Sequence, residues 1–176
     1  MDYKKSGIIV FKRLNNKIYF LLGKNNLNLL NGSDIVFSDI GGKKGDQDSN
    51  SKDTAVRLFY ENTFGLLGSM SDLKYKIINT FENPKYKHVF HFIENNDISN
   101  NDIDNINKVR TYLNSSIETN GFNVNHKKNI SCKDCVISND IKWFELNEII
   151  SNHSNFDSKF LNSFLKYLKL HILSNN

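Results

Sequence analysis

The chain has 176 residues, 39% of them hydrophobic, and this length suits a single domain, 1–176, that folds without disulfides or structural metals. The formal net charge of +4 comes from lysines that are scattered along the sequence, so charge alone gives little support to nucleic-acid binding. No apolar run approaches the roughly 20 residues that span a bilayer, and the N-terminus lacks a signal-peptide pattern, which predicts a soluble protein in the cytoplasm or elsewhere inside the cell.

Two β-rich runs at the start of the chain, 6–13 and 17–22, flank Asn15-Asn16. The asparagine pair suits a tight turn, so these runs predict a hairpin. A polar loop is predicted at 24–34, and a third strand over 35–40 ends in the glycine pair Gly41-Gly42.

A helix is predicted over 52–64, with Ser51 as its cap and Gly65 in the left-handed position just beyond its end. Further along, 75–81 and 88–93 read as strands around Pro84, 102–113 as a short helix and 140–146 as a strand. The closing segment from Asp157 is amphipathic, with Asn155 as its predicted cap. Strands and helices alternate without a regular repeat, which predicts an α/β (α+β) fold with a mixed sheet sandwiched between helices.

Asparagine clusters predict a loop or insertion over about 95–130. The composition indicates AT-rich coding, as in some protists and large DNA viruses, which weakens functional interpretations of single Asn or Lys residues. Cys132 and Cys135 form one Cys-Lys-Asp-Cys pair near His126. A zinc site would need further ligands, so we interpret the pair as two ordinary loop thiols. His88 and His91 point to opposite faces of one predicted strand and do not predict a joint metal site.

The stretch from Gly41 to Leu66 resembles the box of the Nudix hydrolase superfamily. The family pattern is a glycine, five residues, a glutamate, seven residues, Arg-Glu, an apolar residue, any residue, Glu-Glu, and shortly afterwards a glycine. The residues that carry the resemblance are Gly41, Gly42, Ala55, Arg57, Glu61, Thr63 and Gly65. The order of the predicted elements is also similar to that family, so the resemblance implies a Nudix-like α/β/α sandwich.

The resemblance also implies Mg²⁺ or Mn²⁺ held by carboxylates one helical turn apart, where the metal polarises a phosphoryl group. Leu58 and Asn62 occupy two of the glutamate positions, which removes two anionic ligands and weakens metal binding by several kcal/mol. The resemblance leaves Glu61, Asp46 and Asp48 as candidate metal ligands.

Four further positions are candidates through the same resemblance. Asp140, before a late strand, is the nearest equivalent of an additional family carboxylate. Arg57 gives structural support by pairing with Glu61, one turn away. Gly41 and Gly42 either cradle a phosphate of the ligand or serve the strand exit with unusual dihedrals.

We therefore expect a Nudix-fold protein with weak or no catalysis, which binds a nucleotide or RNA, or a protein partner in a larger assembly. The alternative is a divergent Mg²⁺- or Mn²⁺-dependent hydrolase that uses the aspartates to cleave a nucleotide sugar, a dinucleoside polyphosphate or an RNA cap. A third interpretation is an unrelated α+β binding domain.

Overall fold

A mixed β-sheet forms the centre of the computed structural model, which describes residues 2–29, 32–119 and 140–171. The strands in these ranges are β1 (Lys5–Leu14), β2 (Lys17–Leu29), β3 (Gly32–Ser38), β4 (Ile40–Lys43), β5 (Ile77–Asn83), β6 (His88–Glu94) and β7 (Ile141–Glu145). The helices are α1 (Ser51–Asn62), α2 (Met70–Lys76), α3 (Asn100–Thr119), α4 (Leu146–Ser151) and α5 (Ser158–His171), with a 3-10 turn at His153–Asn155.

The strands lie in the order β3-β2-β1-β6-β5, with β4 also paired to β1 and β7 also paired to β2. The pairing of β1 with β6 is parallel and the other pairings are antiparallel. The prediction of a mixed sheet is therefore confirmed. Strand β1 organises it, because three different strands pair along its length.

Apolar side chains cover both faces of the sheet because neighbouring residues of a strand point to opposite sides. Beneath α1, α2 and α3 lies one buried cluster, which includes Ile8, Val10, Leu21, Phe59, Leu73, Ile106 and Ile141. Beneath α4 and α5 lies a second cluster, which includes Ile9, Phe11, Phe20, Phe92, Ile149, Phe160 and Phe164. Helices on both faces make the α/β/α arrangement that the sequence predicts. No helix in the described ranges is long and apolar enough to cross a membrane.

The predicted hairpin is confirmed, since Asn15 and Asn16 have φ values of 51° and 60° between β1 and β2. Positive φ at both central residues is the requirement of the type I′ turn, which asparagine tolerates. The prediction of a polar loop at 24–34 is wrong, because the backbones of β2 and β3 pair through it. The single strand expected over 35–40 is two strands, β3 and β4, which pair with different partners.

Helix α1 ends earlier than 64, and its N-cap is Asn50 instead of Ser51. The side chain of Asn50 accepts a hydrogen bond from the backbone N–H of Asp53 at 3.0 Å. Beyond the helix end, Phe64 takes the left-handed conformation at φ 54°, and Gly65 follows at φ 69°. The left-handed turn therefore begins one residue before the glycine that predicted it.

The remaining helices depart from prediction at their ends. Helix α2 takes Tyr75 and Lys76, which alternation assigned to a strand, and α4 was not predicted. Helix α3 confirms the helix predicted over 102–113 and extends it at both ends into the stretch that the asparagine content assigned to a loop. Helix α5 is capped by Asp157 instead of Asn155, with its carboxylate accepting from the backbone N–H of Phe160 at 2.8 Å. Cys132, Cys135 and His126 lie outside the described residues.

The glycine pair lies inside β4, where a steric requirement applies to Gly41. A Cβ at Gly41 would lie 2.3 Å from the Cα of Gly7 and 2.3 Å from the carbonyl oxygen of Ser6. The two strands can therefore approach this closely only without a side chain at 41. A Cβ at Gly42 would meet only the Leu58 side chain, at 3.4 Å. Neither glycine has the positive φ that unusual strand-exit dihedrals would show.

We expect Gly41→Ala to lower the free energy of unfolding by roughly 2–4 kcal/mol, because backbone atoms of β1 must move to admit the new methyl group. Gly42→Ala is the matched control and should change it by less than about 1 kcal/mol. Urea unfolding followed by circular dichroism measures both. Equal effects of the two substitutions would contradict the steric explanation.

Candidate functional site

The loop between β4 and α1 is held by the carboxylate of Asp48, whose side chain is only 3% exposed. It accepts four hydrogen bonds, from the Gly45 N–H at 2.7 Å, the Thr54 hydroxyl at 2.8 Å, and the Arg57 Nε and Nη2 at 2.9 and 2.8 Å. The hydrogen bond with Arg57 is the main reason why the pKa of Asp48 is lowered to about 2, while burial opposes the shift. Both oxygens of this predicted metal ligand are therefore occupied by protein donors.

Arg57 connects two carboxylates. Its Nη1 lies 3.3 Å from both carboxylate oxygens of Glu61, one helical turn further along α1. The pKa of Arg57 is raised, chiefly by its hydrogen bond with Asp48 and against the effect of burial. The side chain of Glu61 is 46% exposed, so this carboxylate faces solvent while it pairs with Arg57.

The two other positions of the box carry no anionic ligand. Leu58 is buried at 3% exposure and contributes to the packing between α1 and β4. Asn62 donates its side-chain amide to the backbone carbonyl of Leu58 at 2.8 Å. Leucine offers no donor atom and the amide brings no charge, so neither meets the preference of a hard divalent cation for anionic oxygens.

The remaining predicted ligands do not complete a metal site. Asp46 is exposed in the loop, and Asp140 pairs with Lys24 at 3.3 Å just before β7. Within 2–29, 32–119 and 140–171, no group of three or more His, Cys, Asp or Glu side chains is arranged to hold a metal ion. The donor set of this site therefore does not fit the Mg²⁺ or Mn²⁺ that the family resemblance implies.

The two histidines of β6 have different hydrogen-bond partners. His91 is buried, its Nδ1 lies 2.9 Å from the Thr80 hydroxyl, and burial lowers its pKa to about 4. His88 is on the other face of the sheet, where its Nε2 lies 3.0 Å from the carboxylate of Asp39.

Arg110 of α3 lies beside the end of α1, and the sequence did not predict this position. Its side chain is only 1% exposed, and its Nη2 donates to the backbone carbonyl of Asn62 at the C-terminal end of α1. The guanidinium also lies over the ring of Phe64, with its carbon 5.5 Å from the ring centroid. A cation here complements the negative end of the helix dipole. The available sequence signal was its place four residues after Ile106, on the apolar face of α3.

Asn107 fixes the position of α3 against the sheet. Its amide nitrogen donates to the Ile141 carbonyl at 3.0 Å, and its amide oxygen accepts from the Ile141 N–H at 3.1 Å. The side chain thus satisfies the edge of β7 as a neighbouring strand would. It also places Arg110, three residues later, beside the end of α1.

The mixed sheet with helices on both faces is consistent with a Nudix-like α/β fold. No protein-family model matches the chain, and no curated protein matches it. Among solved structures, the Ap4A hydrolase of C. elegans is similar over 96% of this chain and 99% of its own, with 15% identity and a TM-score of 0.43. A binary complex of the C. elegans Ap4A hydrolase is similar over 95% of this chain and 98% of its own, with 14% identity and a TM-score of 0.42.

The MERS1–RNA complex of T. brucei is similar over 56% of this chain, with 20% identity and a TM-score of 0.39. This chain spans only 36% of the length of that MERS1 chain. At these identities, the similarities to both proteins concern the fold alone.

We expect Asp48→Asn to lower the free energy of unfolding by about 3 kcal/mol at pH 7, because it leaves the half-buried Arg57 without its main anionic partner. Glu61→Gln, the matched control, removes an exposed partner of the same arginine and should cost less than about 1 kcal/mol. Urea unfolding of the three proteins measures both changes.

The difference in the free energy of unfolding between wild type and Asp48→Asn should also depend on pH. The folded pKa of Asp48, about 2, is below its ordinary value, so about 2 kcal/mol of its stabilisation is present above pH 4 and disappears as the pH falls towards 2. Protonation of His91 in the unfolded state affects both proteins equally and cancels in the difference. A difference that stays constant between pH 7 and pH 2 would contradict the ionic contribution of Asp48.

Proposed function

We propose that this chain is a Nudix-like binding protein with weak or lost hydrolase chemistry, and that it binds a nucleotide or RNA without a divalent metal. The observation that carries the proposal is the environment of the Leu58 and Asn62 side chains, at the two positions of α1 where the family resemblance expects glutamate. Leu58 is buried, and the Asn62 side-chain amide donates a hydrogen bond to the backbone of its own helix. Both side chains serve the helix at positions where metal-dependent hydrolysis requires carboxylates.

The neighbouring carboxylates do not compensate for this loss. Asp48 has both oxygens occupied and is neutralised by Arg57. Any cation that approached Asp48 would have to displace a guanidinium held by two charge-assisted hydrogen bonds. Glu61 alone remains exposed on this part of α1, and a single carboxylate holds Mg²⁺ or Mn²⁺ poorly.

A phosphate-bearing ligand agrees with the charge of the chain. The formal net charge of +4 is small and does not oppose an anionic partner, and phosphate is the group that nucleotides and RNA share. A protein partner in a larger assembly is the other form of a binding function, and it is an outcome that the ligand titration below distinguishes.

The second candidate is a divergent hydrolase that cleaves a nucleoside diphosphate-linked substrate. It is favoured by the exposure of Glu61 and Asp46, which leaves both carboxylates accessible to a cation from solvent. This candidate requires metal binding that depends on Glu61.

We expect the wild-type protein to bind ADP or an oligoribonucleotide in EDTA, and an excess of Mg²⁺ should not strengthen this binding, because no metal bridges the ligand to α1 and Mg²⁺ competes for the phosphates. A parallel Mn²⁺ titration followed by electron paramagnetic resonance should be the same for wild type and Glu61→Gln. Mn²⁺ binding or Mn²⁺-dependent hydrolysis that is lost in Glu61→Gln would establish the divergent hydrolase instead. If neither ligand binds under either condition, the nucleotide or RNA function is wrong and a protein partner becomes the leading candidate.

A further inference from the structure

Lysines that are far apart in the sequence meet at one end of the sheet. The backbone N–H groups of Lys4 and Lys5 donate to the Lys87 carbonyl at 2.8 and 3.2 Å. The Lys44 N–H donates to the Lys4 carbonyl at 3.0 Å, and Lys43 is the register partner of Lys5 in the β1–β4 pairing. The start of β1, the end of β4 and the turn before β6 therefore bring these lysines together.

One tyrosine lies on each side of the sheet at this end, since Tyr3 is hydrogen-bonded to Thr54 of α1 and Tyr86 is near Lys159 of α5. The Lys44 ammonium is 5.1 Å from the ring centroid of Tyr3. The Lys85 and Lys159 ammonium groups are 5.4 and 6.0 Å from that of Tyr86. We call this surface the basic end of the sheet and define it by Lys4, Lys5, Lys43, Lys44, Lys85, Lys87, Lys159, Tyr3 and Tyr86.

Acidic neighbours offset only part of the charge of the basic end. Asp2 pairs with Lys87 at 3.4 Å, but its side chain is 83% exposed, and such a pair contributes little. Asp39 is buried against His88, and His88 is the register partner of Lys5 in the β1–β6 pairing. In the part of the chain that the structure describes, no salt bridge joins Lys4, Lys44 or Lys85 to an acidic side chain. The basic end therefore presents a concentrated positive charge to solvent.

We propose that the basic end of the sheet binds the phosphate backbone of single-stranded RNA. Lysine ammonium groups act as point charges on phosphates, whose counterions are released on binding. Aromatic rings interleaved with cationic side chains are the arrangement by which proteins hold single-stranded nucleic acid. This inference rests on the proposed RNA-binding function and adds the surface that performs it.

The chemistry of the basic end favours RNA over a membrane. A membrane-surface site needs apolar side chains that enter the acyl region. The large hydrophobic side chains that are exposed in the described residues, such as Leu66, Tyr75 and Ile78, do not belong to the basic end, and Tyr3 and Tyr86 are half-buried. The surface therefore offers charge and ring edges without an apolar wedge.

The basic end does not include the altered positions of the box, although Leu58 lies against Gly42, the residue before Lys43. Lys43 and Lys44 precede α1, whereas Asn62 is its last residue. Ser51 and Asn62 are eleven helical steps apart, which corresponds to roughly 16 Å at 1.5 Å per residue. Substitution of Lys4, Lys44 and Lys85 also leaves unchanged Gly42, which Leu58 contacts, and the Leu58 carbonyl, which Asn62 contacts.

The test compares the triple variant Lys4→Gln/Lys44→Gln/Lys85→Gln with the control Lys108→Gln/Lys142→Gln/Lys166→Gln, which removes the same net charge from exposed lysines elsewhere. Fluorescence anisotropy with a labelled oligouridylate in EDTA, over a series of salt concentrations, measures affinity and its salt dependence. The first variant should lose roughly 100-fold in affinity at 0.1 M salt, and its salt slope should fall by about 2. The control should stay within about threefold of wild type.

The outcomes separate this inference from the function on which it rests. Equal losses in the two triple variants overturn the basic end as the surface and leave RNA binding in place. Wild type that binds ADP but no RNA overturns the inference while the nucleotide function stands, and binding of neither overturns both. Sedimentation of wild type with phosphatidylserine vesicles, lost only in the first variant while its RNA affinity is unchanged, identifies a membrane surface instead.

A milder variant keeps the test valid if the triple variant unfolds. Lys85→Gln lies in the exposed turn between β5 and β6, and it should weaken RNA binding roughly fivefold at 0.1 M salt. Lys108→Gln is its control and should have no effect. Equal affinities of these two proteins would also overturn the inference.

Discussion

The bidentate pair between Asp48 and Arg57 is the interaction on which the connection between β4 and α1 depends. It ties the loop after β4 to the middle of α1, and the same carboxylate also holds the Gly45 N–H and the Thr54 hydroxyl. A loop of this length has little apolar surface with which to offset the entropy of its ordering. A buried, fully hydrogen-bonded charge pair provides that order and fixes the path of β4 into α1.

This pair also belongs to a wider arrangement of charges around α1. The two arginines beside α1 are bound by other groups of the same chain. Arg57 faces Asp48 and Glu61, and Arg110 faces the last carbonyl of the helix. Leu58 adds apolar packing, and Asn62 adds a local hydrogen bond. These side chains stabilise the loop before α1 and the C-terminal end of the helix.

Sequence reasoning succeeded where the local signal was strong. Asparagine pairs tolerate positive φ, so Asn15-Asn16 located the first hairpin, and the alternation of β6 and the helical spacing of α1 and α5 followed from burial on one face. It failed at α2 and α4, which have seven and six residues and show no helical period over so few positions. It also failed in the polar stretch of β2 and β3, where strand pairing overrides composition.

The sequence by itself determined the mixed sheet between helices, the turn at Asn15-Asn16 and the absence of carboxylates at 58 and 62, because backbone preference, side-chain period and residue chemistry are local properties. Only the tertiary structure decided that Asp48 belongs to Arg57, that Arg110 is buried against α1 and that scattered lysines share one end of the sheet. The lysines meet where β1 pairs with β4 and β6, residues more than 30 and 80 positions away, and Arg110 contacts Asn62 across 48 positions. Contacts between such distant segments depend on register and topology, which no short window of sequence contains.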